Sequence, residues 1–191
     1  MDLQHITAKL YCPGQTQLDL PALIPVFHRW IQRKTPPGLM MIDVADYSHV
    51  ERGPGVMLIC HEGYFAVGEA DGGLGVMYAN KRLATGWVRD RLRSCVYRVL
   101  AAASLLEQET QLPGPMTFET GRWMLRIDDR LVVPNSPESF DAMRGELQAA
   151  MDEIFDATVT LEHIDEPRTG LAVQVNAATS DDVATLLGRV G

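Results

Sequence analysis

Four short apolar segments separated by turn residues fill the stretch from Leu39 to Asn80, and they limit the folds open to the chain. Each segment has the length of a β-strand, and glycine-rich sequences such as Asp71-Gly72-Gly73 stand between neighbouring segments. Short apolar runs joined by tight turns are typical of strands that pair with their neighbours in sequence. We therefore predict an antiparallel meander whose strands lie at 39–45, 56–60, 64–67 and 74–78.

The first strand of this meander is a near-continuous apolar run without alternation. Such a run is typical of a central strand that is covered on both faces. Asp43 interrupts the run, and an acid inside a buried strand must be paired, hydrogen-bonded or functional. Asp43 is therefore the first candidate for a functional residue.

Helical spacing, with apolar residues every three or four positions, marks three longer segments. The segment 85–108 keeps this spacing over many turns and predicts the longest helix. The segment 19–34 has Asp19 as a candidate cap, but Pro25 inside it can move the true start to about residue 24. A third helix is predicted to begin at Ser136-Pro137, a cap followed by proline in the first turn.

The five residues 111–115 contain two prolines and a glycine and divide the chain into 1–110 and 111–191. With an alternating strand at 3–12, the first part has the predicted order β-α-β-β-β-β-α. The second part is predicted as β-β-α-β-β-α, beginning with a hairpin whose first strand is 116–119. The predicted fold class is α+β, an antiparallel or mixed β-sheet sandwich covered by helices. Its two halves, each of ferredoxin-like size, share a core and form one compact unit.

The composition is that of an ordinary globular protein, with 46% apolar and 22% charged residues. The net charge is −8, and the densest group of arginines, on the predicted helix 85–108, is offset by Asp90. Nucleic-acid binding needs many cations on one face, because the affinity comes largely from released counterions. We therefore expect no nucleic-acid partner.

Three cysteines, Cys12, Cys60 and Cys95, lie among apolar residues and form no C-x-x-C motif. Buried, reduced thiols are typical of the cytosol, where disulfides are rare. The N-terminal sequence lacks the features of a signal peptide, and no run reaches the ~20 apolar residues of a membrane span. These features predict a soluble, cytoplasmic protein without a membrane span.

Common catalytic motifs are absent from the sequence. There is no P-loop, no strand–G-x-G-x-x-G–helix unit and no G-x-S-x-G nucleophile elbow. His61-Glu62 begins like the zinc-protease motif H-E-x-x-H, but position 65 is Phe and the local pattern is that of a strand. These absences favour a non-catalytic protein, and no cofactor is predicted.

A looser set of titratable residues remains near the start of the meander. Acid–base catalysis would use Asp43, His49, His61 and Glu62, because imidazole titrates near neutral pH. A divalent metal such as Zn or Fe, with open positions, would be bound by His28, Asp43, His49 and His61. The set has no fixed spacing, and the ordinary alternative is that these residues pack, cap turns or face solvent.

Arg122, Arg126 and Arg130 alternate along the predicted hairpin of the second part, where Arg122 and Arg126 point outward from the core. Such a row suits an anionic ligand or an acidic partner, although a solvated strand face is the more common explanation. These arginines are secondary candidates for a binding site.

Three functions follow from these observations. The preferred one is a non-catalytic accessory or assembly protein, or a subunit, that binds a protein partner or itself through its sheet or the helix 85–108. The second is a small metal-dependent or His/Asp acid–base enzyme with a site around His49 and His61. The third is a small-ligand sensor with a pocket under the glycine-rich meander.

Overall fold

A computed structural model describes residues 5–81, 87–166 and 169–191 of the chain. Its β-strands are β1 (Ile6–Tyr11), β2 (Met41–Tyr47), β3 (Gly55–Cys60), β4 (Gly63–Gly68), β5 (Gly75–Asn80), β6 (Arg122–Ile127), β7 (Val159–Ile164) and β8 (Leu171–Ala177). Its α-helices are α1 (Leu23–Arg33), α2 (Val88–Glu107), α3 (Pro137–Phe155) and α4 (Val183–Val190). The fold is therefore α+β, as predicted.

The eight strands form one antiparallel sheet in the order β2-β3-β4-β5-β1-β6-β8-β7. Strands β2 to β5 pair consecutively, which confirms the predicted meander. The first strand of the chain, β1, lies inside the sheet between β5 and β6. The sheet therefore runs without interruption through the segments 1–110 and 111–191.

The helices contact one face of this sheet. Helix α1 contacts β2 and β3, α2 contacts β1 and β5, α3 contacts β7 and β8, and α4 packs on α2 and α3. Ile6, Ala8 and Leu10 of β1 belong to the same buried cluster as Leu92 and Val96 of α2. Burying one such large aliphatic side chain stabilises the fold by about 1.5–3 kcal/mol. The alternate residues of each strand face the opposite side of the sheet, which bears no helix in the described parts of the chain.

The start of the C-terminal segment differs from its prediction. Residues 116–119 form no strand, and the observed order there is β-α-β-β-α. Both sides of β6 are already occupied, by β1 and by β8, so no position is left for a hairpin partner. The apolar signal of this segment has another cause, because Met116 is buried and the Glu119 N–H donates to the Tyr11 carbonyl oxygen at 2.8 Å.

Helix α3 begins with the predicted cap, whereas α1 begins several residues after the predicted cap Asp19. Ser136 caps α3 by accepting a hydrogen bond from the Ser139 N–H, and Pro137 begins the helix. Asp19 instead precedes a short 3-10 turn, Leu20–Ala22, and makes no side-chain cap. Helix α1 then begins at residue 23, so that Pro25 lies in its first turn, where a proline breaks no hydrogen bond.

Cys12, Cys60 and Cys95 are free and buried. No helix within residues 5–81, 87–166 and 169–191 is long and apolar enough to cross a membrane.

Candidate functional site

Most of the residues predicted for a catalytic or metal site lie on the β2–β3 hairpin, but the hairpin separates them. His49 lies in the turn between the two strands, and His61 follows the far end of β3. Tyr47 pairs with Gly55 at the turn and Met41 pairs with Cys60 at the other end. At about 3.4 Å per residue, the two histidines are roughly 20 Å apart along the strands. They therefore cannot share a metal ion or a proton.

The two acids of β2 have local hydrogen-bond partners. The Asp43 carboxylate accepts a hydrogen bond from the Val44 N–H at 2.8 Å, and Asp46 accepts one from the Ser48 N–H at 2.8 Å. The hydrogen bonds from Ser48 hold the pKa of Asp46 below its ordinary value. Both acids are exposed, and each carboxylate satisfies a neighbouring backbone N–H.

The remaining candidates do not complete a metal site. His28 is exposed on α1, His61 is exposed beyond β3, and Glu62 follows His61 at the start of the next turn. Among the described residues, no group of three or more His, Cys, Asp or Glu side chains is placed to hold a metal ion. Burial raises the pKa of the neighbouring Cys60 thiol to about 12, so this thiol is protonated and a poor nucleophile at neutral pH. The structure thus does not bring the predicted residues together.

Strand β2 itself is the unusual feature of this region. It was predicted as a central strand, but this prediction is wrong: β2 lies at the edge of the sheet and pairs with β3 alone among the described strands. Ile42, Asp43, Asp46 and Tyr47 of this strand are exposed. An edge strand presents a row of backbone N–H and C=O groups with no partner strand.

Large apolar side chains are concentrated on this edge. Four are exposed in or beside β2: Met40 by 63%, Ile42 by 57%, Tyr47 by 44% and Val50 by 44%. In the described part of the chain, only three other large apolar side chains are this exposed, namely Trp87, Leu131 and Val132. The four in or beside β2 form two pairs at opposite ends of the strand, Met40 with Ile42 and Tyr47 with Val50, and exposed apolar residues of this size on a folded protein can mark an interaction surface.

The register of β2 contributes to this exposure. Met41 pairs with Cys60 and Asp43 pairs with Ile59, so Ile42 is an extra residue in a β-bulge. A bulge bends the strand and leaves its extra residue unpaired. Ile42 therefore projects from the edge and does not pack into the core.

The opposite edge of the sheet, β7, is capped at its first residue, where the Gln148 side-chain amide of α3 donates to the Val159 carbonyl oxygen at 2.9 Å. The Asn135 side-chain amide donates to the Ile164 carbonyl oxygen at 3.0 Å, but the ladder register turns this oxygen towards β8 and not towards the open edge. Exposed polar residues, Thr160 and Glu162, alternate with buried ones along this strand. Within the described residues, no side chain of another element hydrogen-bonds to the backbone of β2, although the Asp43 carboxylate of the strand itself accepts from the Val44 N–H.

The sequence contained a signal for this edge that the apolar run concealed. Charged residues that interrupt a strand are one of the ways in which proteins limit edge-to-edge pairing. Asp43 and Asp46 are two such charges within seven residues. They identify β2 as an edge strand better than they identify a catalytic site.

No protein-family model, no curated protein and no solved structure matches the chain. Function is therefore inferred from the residues of the chain alone.

Proposed function

We propose that the protein is a non-catalytic accessory or assembly protein of the cytoplasm, whose β2 edge binds an extended segment of a protein partner. The observation that carries this proposal is the contrast between the two sheet edges. The β7 edge carries exposed polar side chains and an amide on its Val159 carbonyl oxygen, whereas β2 has no partner strand and is flanked by exposed Met40 and Ile42 at one end and Tyr47 at the other. A partner segment that adds a ninth strand would satisfy the backbone and bury these side chains.

The charge of the edge defines the chemistry of the partner segment. Strand β2 carries Asp43 and Asp46 and no basic residue, and the whole chain has a net charge of −8. A second copy of the chain would bring like charges together across the new strand pair, which is unfavourable. The partner segment is therefore extended and apolar with interspersed lysine or arginine. The same negative charge disfavours binding to nucleic acid, whose phosphates are also negative.

Two further features agree with this proposal. The free, buried thiols of Cys12, Cys60 and Cys95 fit a reducing compartment. The two predicted halves, 1–110 and 111–191, would form one compact unit that carries the β2 edge, because β1 of the first half pairs with β6 of the second. The alternative of an enzyme around His49 and His61 lacks support, since these residues lie at opposite ends of the hairpin.

Hydrogen exchange with a synthetic peptide tests the proposal. The probe is a seven-residue peptide that alternates lysine with valine, and its control alternates glutamate with valine. We expect the lysine peptide to slow amide exchange in β2 and to leave β7 unchanged, while the glutamate peptide has no effect. The double variant Asp43→Lys, Asp46→Lys should reverse this preference.

Two results would contradict the proposal. The first is equal protection of β2 and β7 by the lysine peptide, which would show non-specific binding. The second is a β2-dependent homodimer, detected by size-exclusion chromatography with light scattering, which would identify a second copy as the occupant. The variant Glu162→Lys, on the β7 edge, is the matched control for the charge reversal on β2.

A further inference from the structure

The face of the sheet opposite the helices contains a cleft of about 680 Å³. It lies over β1, β6 and β8, and the turn between β4 and β5, residues 69–73, forms one wall. The end of β7 borders the other side. This volume is within the range of sites for small organic molecules.

The floor of the cleft is apolar and closely packed. Met124 of β6 and Ala172 of β8 line it, and each is almost fully buried by its neighbours. Tyr11 of β1 contributes an aromatic ring. Ile164, at the end of β7, extends the apolar surface towards the rim. Because Tyr11, Met124 and Ala172 are almost fully buried, the apolar surface that a ligand can cover is small and lies mainly at Ile164, which suits a small hydrocarbon or aromatic group.

Lys9 fixes the wall of the cleft. Its ammonium donates hydrogen bonds to the carbonyl oxygens of Gly68 at 3.2 Å and Gly73 at 2.6 Å, and to that of Ala70. These three acceptors use all three N–H groups of the ammonium. Lys9 therefore holds the 69–73 turn over the sheet and has no hydrogen left for a ligand.

Arg126 is also committed to the protein. Its Nε donates to Asp128 at 2.7 Å and its Nη1 donates to Asp71 at 3.0 Å. The side chain is largely buried, and these two carboxylates neutralise its charge. Arg126 therefore braces the wall and contributes little net charge to the cleft.

Arg122 differs from Arg126, because its contacts are long. Its guanidinium lies over the Tyr11 ring at 4.3 Å, its Nη2 is 3.4 Å from the Gly72 carbonyl oxygen, and its Nη1 is 3.7 Å from Glu119. The side chain is 41% exposed. Stacking on Tyr11 fixes the plane of the guanidinium and leaves N–H donors on its edge. A planar fork of donors matches the two oxygens of a carboxylate.

We propose that this cleft binds a small organic anion, with a carboxylate on Arg122 and an apolar body over Met124 and Ala172. Exposed Arg52, Glu69 and Glu166 also line the cleft, and the two carboxylates outnumber this second cation and would repel a ligand with several negative charges. The ligand is thus a monocarboxylate with a short aliphatic or aromatic group. The cleft lies over the middle of the sheet, although Arg52 of the turn between β2 and β3 also lines it, so ligand binding is tested without the β2 peptide.

A titration with three small probes tests this assignment, with two-dimensional NMR as the readout. The probes are benzoate, benzylamine and inorganic phosphate, which separate an anion with an apolar body from a cation and from an anion without such a body. We expect benzoate to shift the amides of residues 69–73 and 122–126 in a saturable way. Benzylamine and phosphate should produce no saturable shifts there.

Variants at one position and a matched control identify the anion contact. Arg122→Gln should weaken benzoate binding at least tenfold, and Arg122→Lys should weaken it less, because a charge without the planar fork remains. Arg144→Gln is the control, since Arg144 also lies over an aromatic ring, that of Phe140 at 5.7 Å, but does not line the cleft. It should change benzoate affinity less than twofold. Thermal unfolding of each variant verifies that the fold is retained.

Three outcomes would overturn the proposal: benzylamine binding as tightly as benzoate, an unchanged benzoate affinity in folded Arg122→Gln, or no saturable shift with 10 mM benzoate. Phosphate that shifts the same amides as strongly as benzoate would likewise show that the apolar floor takes no part.

Discussion

The buried ammonium of Lys9 donates a hydrogen bond to the carbonyl oxygen of Gly73 at 2.6 Å, which joins the central strand to a turn 64 residues away in the sequence. Lys9 is one of the largest fully buried side chains of the described structure. Its position explains why the uncovered face of the sheet has a defined shape without a helix on it.

Replacing Lys9 with methionine should destabilise the protein by about 2 kcal/mol or more. The substitution keeps the length of the side chain but leaves three carbonyl oxygens without their donor, and a buried acceptor without a partner costs ~1–3 kcal/mol. Urea unfolding measures the loss, and amides of the 69–73 turn should exchange faster. Lys81→Met, at an exposed position, is the control and should change the unfolding free energy by less than ~0.5 kcal/mol. Equal effects of both substitutions would contradict the role of Lys9.

Stability should fall as the pH rises above about 9. Burial raises the pKa of the Cys12, Cys60 and Cys95 thiols to about 12, so the folded protein keeps protons that the unfolded chain releases. The stabilisation is complete below the unfolded thiol pKa and is lost as the pH approaches 12. Burial lowers the pKa of Lys9 to about 8, which acts in the opposite direction, but three thiols outweigh one ammonium.

Urea unfolding between pH 8 and pH 10 measures this dependence. Each net proton changes the unfolding free energy by about 1.4 kcal/mol per pH unit. Cys95→Ala should make the decline shallower by about one proton, whatever its effect on stability at pH 7. A stability that stays constant or rises above pH 9 would contradict the pKa assignment.

Two glycines should respond in opposite ways to substitution by alanine. Gly55 has a φ of +76°, and a Cβ there would collide with the backbone of Val67 in the adjacent strand. Gly55→Ala should therefore cost at least ~3 kcal/mol. Gly145 lies within α3 and a Cβ there meets no atom within 4 Å, so Gly145→Ala should stabilise the protein by about 1 kcal/mol. Thermal unfolding separates the two, and a stable Gly55→Ala variant would contradict the observed strand pairing.

A charge on the β2 edge should abolish partner binding without affecting the fold. Ile42 is exposed and lies in a bulge, so Ile42→Lys should change the unfolding free energy by less than ~0.5 kcal/mol. The same variant should lose the protection of β2 by the lysine–valine peptide, because it places a like charge and removes an apolar contact. Thr160→Lys on β7 should leave that protection intact. Peptide protection that survives in Ile42→Lys would place the binding elsewhere.

The sequence predicted the order of elements in the N-terminal part because each boundary there has its own local signal. Glycine turns separate β2 to β5, and proline near the start of α1 limits where that helix begins. The false strand at 116–119 arose where the local pattern was apolar for another reason, the burial of Met116. Local patterns report burial, whereas strand formation also requires a free neighbouring strand.

The candidate site was harder to predict, for a related reason. An apolar run such as 39–45 looks the same in a central strand and in an exposed edge, because the difference lies in which strands are added beside it. The separation of His49 and His61, in contrast, follows from the predicted hairpin itself, since a turn and the far end of a strand cannot meet. The alternation along the strand predicts that Arg122 and Arg126 lie on the same face of β6, away from the core. The burial of Lys9 could not be predicted in this way, because it depends on a turn that is distant in sequence.

The place of β1 in the sheet affects how the chain assembles. Thr7 pairs with Ala79 on one side and with Arg126 on the other, so neither neighbour of this strand is available until much of the chain has been synthesised. Such distant pairings are formed late and slow the folding of a domain. During translation β1 therefore stays unpaired until β5 and β6, the two strands that flank it in the sheet, have been synthesised. A nascent chain interrupted between them would expose one side of β1 as a temporary edge.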